Sequence, residues 1–120
     1  MIGTFHSVWG WVVIGVDLAA GLYGIGLSVF RRRPGIVFRF AMATAIAVSL
    51  LQVAAGLILY GSGERPGGFH LFYGVLIMIA VAFGYVYRTE MNKKNPALRW
   101  GLFALFLMGL GLRAIMTFAT

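Results

Sequence analysis

Residues 31–68 read RRRPGIVFRFAMATAIAVSLLQVAAGLILYGSGERPGG. Two punctuated stretches rich in Pro, Gly and charge enclose the run 36–60, which has Arg39 as its one ionised side chain. About 20 apolar residues in a helix cross the roughly 30 Å of bilayer hydrocarbon, so this run predicts a membrane-spanning helix. A strand is excluded by the lack of period-2 alternation, and an open sheet would leave backbone groups unpaired in lipid. The same reading extends in both directions. Apolar runs at roughly 5–30, 68–88 and 97–119 are separated from it and from each other by RRRPG at 31–35, GSGERPGG at 61–68 and NKKNP at 92–96. Pro and Gly at these places stop or start helices. Short connections make neighbours antiparallel, so the fold class is all-α, an integral membrane up-down four-helix bundle forming a single transmembrane domain over 1–120.

Composition agrees. Of 120 residues, 61% are hydrophobic and 11% charged, and the mean hydropathy is +0.91. The net charge of +7 would suit nucleic acid in a soluble domain, but its distribution points to the lipid bilayer instead, with no nucleic acid as partner. Eight of the ten cations fall around 31–39 and 88–99, and Arg65 alone marks the intervening turn. By the positive-inside rule the two basic loops are cytoplasmic and both termini lie outside, in the plasma (inner) membrane of a prokaryote. The N-terminus has no basic n-region, so the first apolar run is read as retained rather than cleaved. With no cysteine, disulfides, thiolate metal sites and thiol catalysis are excluded.

Phe5-His6-Ser7-Val8-Trp9-Gly10 returns as Phe69-His70-Leu71-Phe72-Tyr73-Gly74, and these hold both histidines of the chain. Helices 1 and 3 run in the same direction, so His6 and His70 fall at one depth near the outer face. At 3.6 residues per turn His6, Gly10, Val13 and Asp17 share a stripe, as do His70, Gly74 and Ile77. Intramembrane imidazoles are functional candidates by default. Two of them at one depth, each with a glycine one turn below, suit a flat metallomacrocycle: His6 and His70 as axial metal ligands of haem b, Gly10 and Gly74 clearing its edge. Trp9, Tyr73, Phe5 and Phe69 would wall it. With both axial positions filled the chemistry is one-electron transfer. A chlorophyll-type pigment on one His, and no cofactor at all with two wet-tipped interfacial imidazoles, are the alternatives. The six Met are scattered, against a copper site.

The stretch LLQVAAGLILYGSGERPGGFHLFYGVLIMIAVAF, 50–83, resembles a stretch of haem A synthase: Gln, Gly four residues later, a Gly/Pro-rich outer turn, and a His opening the next helix. Each half of that family is a four-helix bundle with a haem held by His residues two helices apart. The resemblance covers helices 1–3 and implies that His70 matches the second ligand and His6 the first. It implies a haem-binding bundle shared broadly with b-type membrane cytochromes, and not haem A synthesis, which needs a second haem site and further catalytic groups.

Two charges lie deep inside the spans, away from the basic loops. Arg113 is sixteen residues into helix 4, about 24 Å from its cytoplasmic end, where it would pair with a haem propionate, pair with Asp17, or snorkel to the headgroups. Asp17, roughly 16 Å below His6, is expected to be protonated or hydrogen-bonded, with Tyr23, Gln52 or Arg113 as partner. A proton path or a quinone site is its functional reading. Gly15, Gly21, Gly24, Gly26, Gly56, Gly84, Gly101, Gly109 and Gly111 are expected to permit close helix approach. No catalytic triad, zinc-spaced ligand set or phosphate loop is visible, so the chain is not expected to be an enzyme. The sequence points to a haem b electron carrier. Its rival is a noncatalytic accessory subunit of a larger respiratory or photosynthetic complex. Quinone, such complex subunits and a second copy of the chain are the compatible partners.

Overall fold

The computed structural model describes residues 2–63 and 68–117. Among them there is no strand. The elements are α1 (Ile2–Val29), α2 (Ile36–Gly61), α3 (Gly68–Val86), α4 (Arg88–Lys93) and α5 (Pro96–Met116). At 1.5 Å per residue the four longer helices measure about 42, 39, 28 and 32 Å. Three of them, α1, α2 and α5, are long and apolar enough to cross a membrane, and the apolar part of α3, His70–Val86, is shorter. The expected third helix reached 88. Instead α3 ends at Val86, and after Tyr87 the chain forms the separate helix α4, its end held by Arg88 Nη1 donating to the Tyr85 carbonyl at 2.7 Å. The turn residues 64–67, with Arg65, the side chain of Phe69 and residues beyond 117 lie outside the described part.

The helix ends follow from local chemistry. After α1, Arg31 adopts a left-handed backbone with φ 56°, while Arg31 N–H donates to Ser28 and Arg32 N–H to Leu27. This pair of bonds is a Schellman cap with arginine where glycine is usual, and it closes the orphan carbonyls before Pro34. At the start of α5, Asn95 is also left-handed, φ 46°, and Pro96 takes the first turn, where its missing N–H is not needed. The Asn95 amide donates to Ser28 Oγ at 3.1 Å, tying this corner to the end of α1.

Side-chain pairings fix the directions. Trp9 meets Val48 and Tyr23 meets Phe38, so α1 and α2 are antiparallel. His70 meets Ala114 and Gly84 meets Phe103, so α3 and α5 are antiparallel too. The most extensive packing is between α1 and α5, then α1 with α2 and α3 with α5, whereas α2 and α3 barely touch. Glycines set the α1–α5 approach: a Cβ on Gly24 would lie 2.5 Å from the Ala97 carbonyl oxygen, and one on Gly101 would lie 2.9 Å from that of Gly21. Gly56, Gly84 and Gly111 also face close neighbours. Gly15, Gly26 and Gly109 have nothing within 4 Å of an added Cβ, so the expected packing role does not extend to them. One core cluster joins Ala20, Phe38, Met42, Ala45 and Ala104. A second joins Ile77, Ala80, Leu107 and Leu110.

Candidate functional site

α1 and α3 bring His6 and His70 face to edge, ring centroids 6.0 Å apart with planes at 86°. Each ring is seated by a small residue on another helix. A carbonyl can only accept, so the 2.6 Å contact between His70 Nδ1 and the Ala114 carbonyl is a bond donated by Nδ1–H. That bond fixes the tautomer of a neutral His70 with its lone pair on Nε2, which is how ligating histidines are commonly oriented. The His6 ring lies on Gly56, where an added Cβ would sit 3.1 Å from Cε1. Gln52 Nε2 donates to the His6 carbonyl at 2.7 Å. His6 Nδ1 and Gln52 Oε1 are buried with no hydrogen-bond partner among the described residues.

Both rings line a cavity of about 350 Å³, at the small end of the size range of ligand pockets. Its remaining wall is largely apolar or small, with Gly10, Gly56, Gly74, Gly111 and Ala114 among the contributors and Ser49 at its deep end. Leu57 of α2 and Leu71, Val75 and Met78 of α3 line it and are also exposed. The cavity therefore reaches the surface along the seam where α2 and α3 part.

The two glycines below the histidines differ. Gly74 faces open space, whereas a Cβ on Gly10 would meet Gln52 Nε2 at 3.1 Å and Ile115 Cδ1 at 3.6 Å. Gly10 admits the Gln52 side chain to α1. Trp9 and Tyr73, expected as aromatic walls, do not line the cavity. Trp9 Nε1–H donates to the Val48 carbonyl at 3.0 Å, and its ring stacks on Phe5 at 5.3 Å. The Tyr73 hydroxyl accepts from Arg113 Nε at 3.5 Å, with the guanidinium 5.7 Å from the ring centroid. Arg113 is exposed and adjoins the wall residue Ala114 without lining the cavity itself. Gly56 and Ala114, the groups that seat the two rings, were not singled out by sequence as histidine partners. Their small size was the only signal.

Asp17 is fully buried. None of the three expected partners holds it. Its Oδ2 lies 3.5 Å from Ser49 Oγ, and Oδ1 has no partner among the described residues. Ser49 Oγ also donates to the Ala45 carbonyl at 2.9 Å. A hydroxyl has one hydrogen, and the shorter bond takes it, so the Asp17 contact is the weaker of the two.

No group of three or more His, Cys, Asp or Glu residues that could hold a metal ion is found among the described residues. The chain matches no family model, no curated protein and no solved structure, so the resemblance of 50–83 rests on those residues alone.

Proposed function

We propose that the chain is a membrane-embedded haem b protein for electron transfer, a b-type cytochrome-like four-helix bundle with His6 and His70 as its two protein ligands to iron. The observation that carries this reading is the pair of imidazoles from two helices, ring centroids 6.0 Å apart, on a shared cavity. His6 and His70 would hold the haem from two different helices. A bare ion of the zinc type needs about four ligands from the protein, whereas a haem would need no more than two. A site with two imidazoles and no group of three or more His, Cys, Asp or Glu among the described residues suits the second case. The small side chains beside the rings leave room for a flat group, and the seam between α2 and α3 lets its edge extend. Bound haem supplies one-electron redox chemistry; the chain holds it, orients His70 through Ala114 and limits access of water. Arg113, one residue from the cavity wall, is a cation available to a propionate.

The bundle would lie with its basic loops in the cytoplasm and the histidine end outside, in a prokaryotic inner membrane, following the charge asymmetry of 31–39 and 88–99. Quinone, a larger respiratory assembly or a second copy are the partners such a carrier would serve. A second reading, an accessory subunit with structural histidines, draws on the His70–Ala114 bond, which ties α3 to α5 without a cofactor.

A dithionite-reduced absorption spectrum of the purified protein tests the proposal. Sharp low-spin haem bands, lost in both His6→Ala and His70→Ala, are expected. A preparation that stays without them after reconstitution with haem refutes it.

A further inference from the structure

At the opposite end of the molecule a second cleft, of about 530 Å³, opens between the start of α2 and the α4–α5 corner. We propose that it binds one anionic glycerophospholipid, the phosphate on Arg39 and an acyl chain along α2. The proposal rests on the membrane reading and is independent of the haem reading.

The cleft has two chemically distinct parts. Phe38, Met42 and Ile46 repeat every four residues along about 12 Å of α2. Phe38 and Met42 are buried in the core and form the floor, and half-buried Ile46 and Trp100 are the apolar surface an acyl chain would meet. Arg39 and Asn92 stand at its polar mouth. Trp100 Nε1–H occupies Asn92 Oδ1 at 2.7 Å, which turns the Asn92 amide hydrogens to donor duty. No carboxylate pairs with Arg39 among the described residues, where the one salt bridge is Lys93 to Glu90. Two donor-bearing side chains beside the apolar surface of Ile46 and Trp100 match a phosphodiester carrying a hydrocarbon tail.

The surrounding field selects for negative charge. Arg31, Arg32, Arg33, Arg39, Arg88, Lys93, Lys94 and Arg99 are all near this end, against Glu90 alone. Eight minus one leaves an excess of seven positive charges. Such a field attracts anionic lipid to the whole loop region, but only Arg39 of these cations lines the cleft. A bound lipid therefore distinguishes Arg39 from its neighbours.

Native mass spectrometry of detergent-purified full-length protein provides the test, after confirming that detergent is needed to extract it, so failure of the membrane reading is seen separately. The probes are phosphatidylglycerol, phosphatidylcholine with the same chains, and glycerol phosphate without chains. One phosphatidylglycerol should be retained in preference to phosphatidylcholine, and glycerol phosphate should not compete. Arg39→Gln should lower its retention about tenfold, the loss of a charge-assisted contact, whereas Arg33→Gln and Lys94→Gln stay within about twofold. Arg39 is exposed, so melting without added lipid should not change. Equal losses in all three variants, equal retention of the two lipids, or competition by glycerol phosphate would each overturn the proposal.

Discussion

At Asp17 the full burial of a carboxyl inside a span is met by a single long contact with Ser49. Interhelical hydrogen bonds in membranes average about 0.6 kcal/mol, because the separated helices also find partners. Asp17→Asn keeps the shape and the ability to meet Ser49, so its melting in detergent should correspond to a change within about 1 kcal/mol. A larger loss would mean that the carboxyl has a stronger partner than Ser49. The histidines show how far residues can be read from sequence. Their shared depth was legible, because a repeated hexapeptide opens two helices that run in the same direction. The partners of the rings were not. A helix apolar on all sides has no stripe to reveal which way it is rotated about its axis, so Gly10 was expected at an open edge and instead admits Gln52, while Gly56 does the seating of His6. The same indeterminacy sent Trp9 and Tyr73 away from the cavity they were expected to wall.

Among the elements, the α1–α5 pair is set by missing side chains. Gly101→Ala places a methyl 2.9 Å from the Gly21 carbonyl oxygen and 3.1 Å from Gly24 Cα. Backbone cannot step aside as a side chain does, so the helices must separate, at a cost of about 1–3 kcal/mol. Gly109→Ala on the same helix meets nothing within 4 Å, and should be neutral or stabilising by up to about 1 kcal/mol through helix propensity. Comparing the two melting temperatures in one detergent checks the contrast, and equal effects would refute it. At the end of α1, Arg31 holds a left-handed backbone that costs an L-residue roughly 1–2 kcal/mol. Arg31→Gly should therefore raise the melting temperature, by the equivalent of about 1 kcal/mol, and a fall would show that the side chain contributes more than the backbone loses. Helix boundaries were legible wherever Pro or Gly marked them, as at 34–35 and 96. The break at Tyr87 carries neither, and aromatic residues continue through it, so α4 was not foreseen.

For the whole molecule, the absence of cysteine makes orientation directly measurable. With basic loops inside, Ser62→Cys should react with a membrane-impermeant maleimide in intact cells, and Lys94→Cys only after permeabilisation. The reverse pattern would invert the proposed topology and put the histidine end in the cytoplasm. The pairing of helices also has a consequence for assembly. Trp9 with Val48, Gln52 with the His6 carbonyl and Ser49 with Asp17 all join α1 to α2. The hairpin of α1 and α2 can thus form these three contacts before α5 is made. The main packing partner of α1, however, is α5, made after the other described helices. Gly21 and Gly24 stay bare until Gly101 arrives, and the wall carrying Ala114 arrives with it. Synthesis order thus separates stitching from closure: the half of the chamber that bears His6 exists before the half that bears His70, and the wall that carries Ala114 is added only when α5 docks.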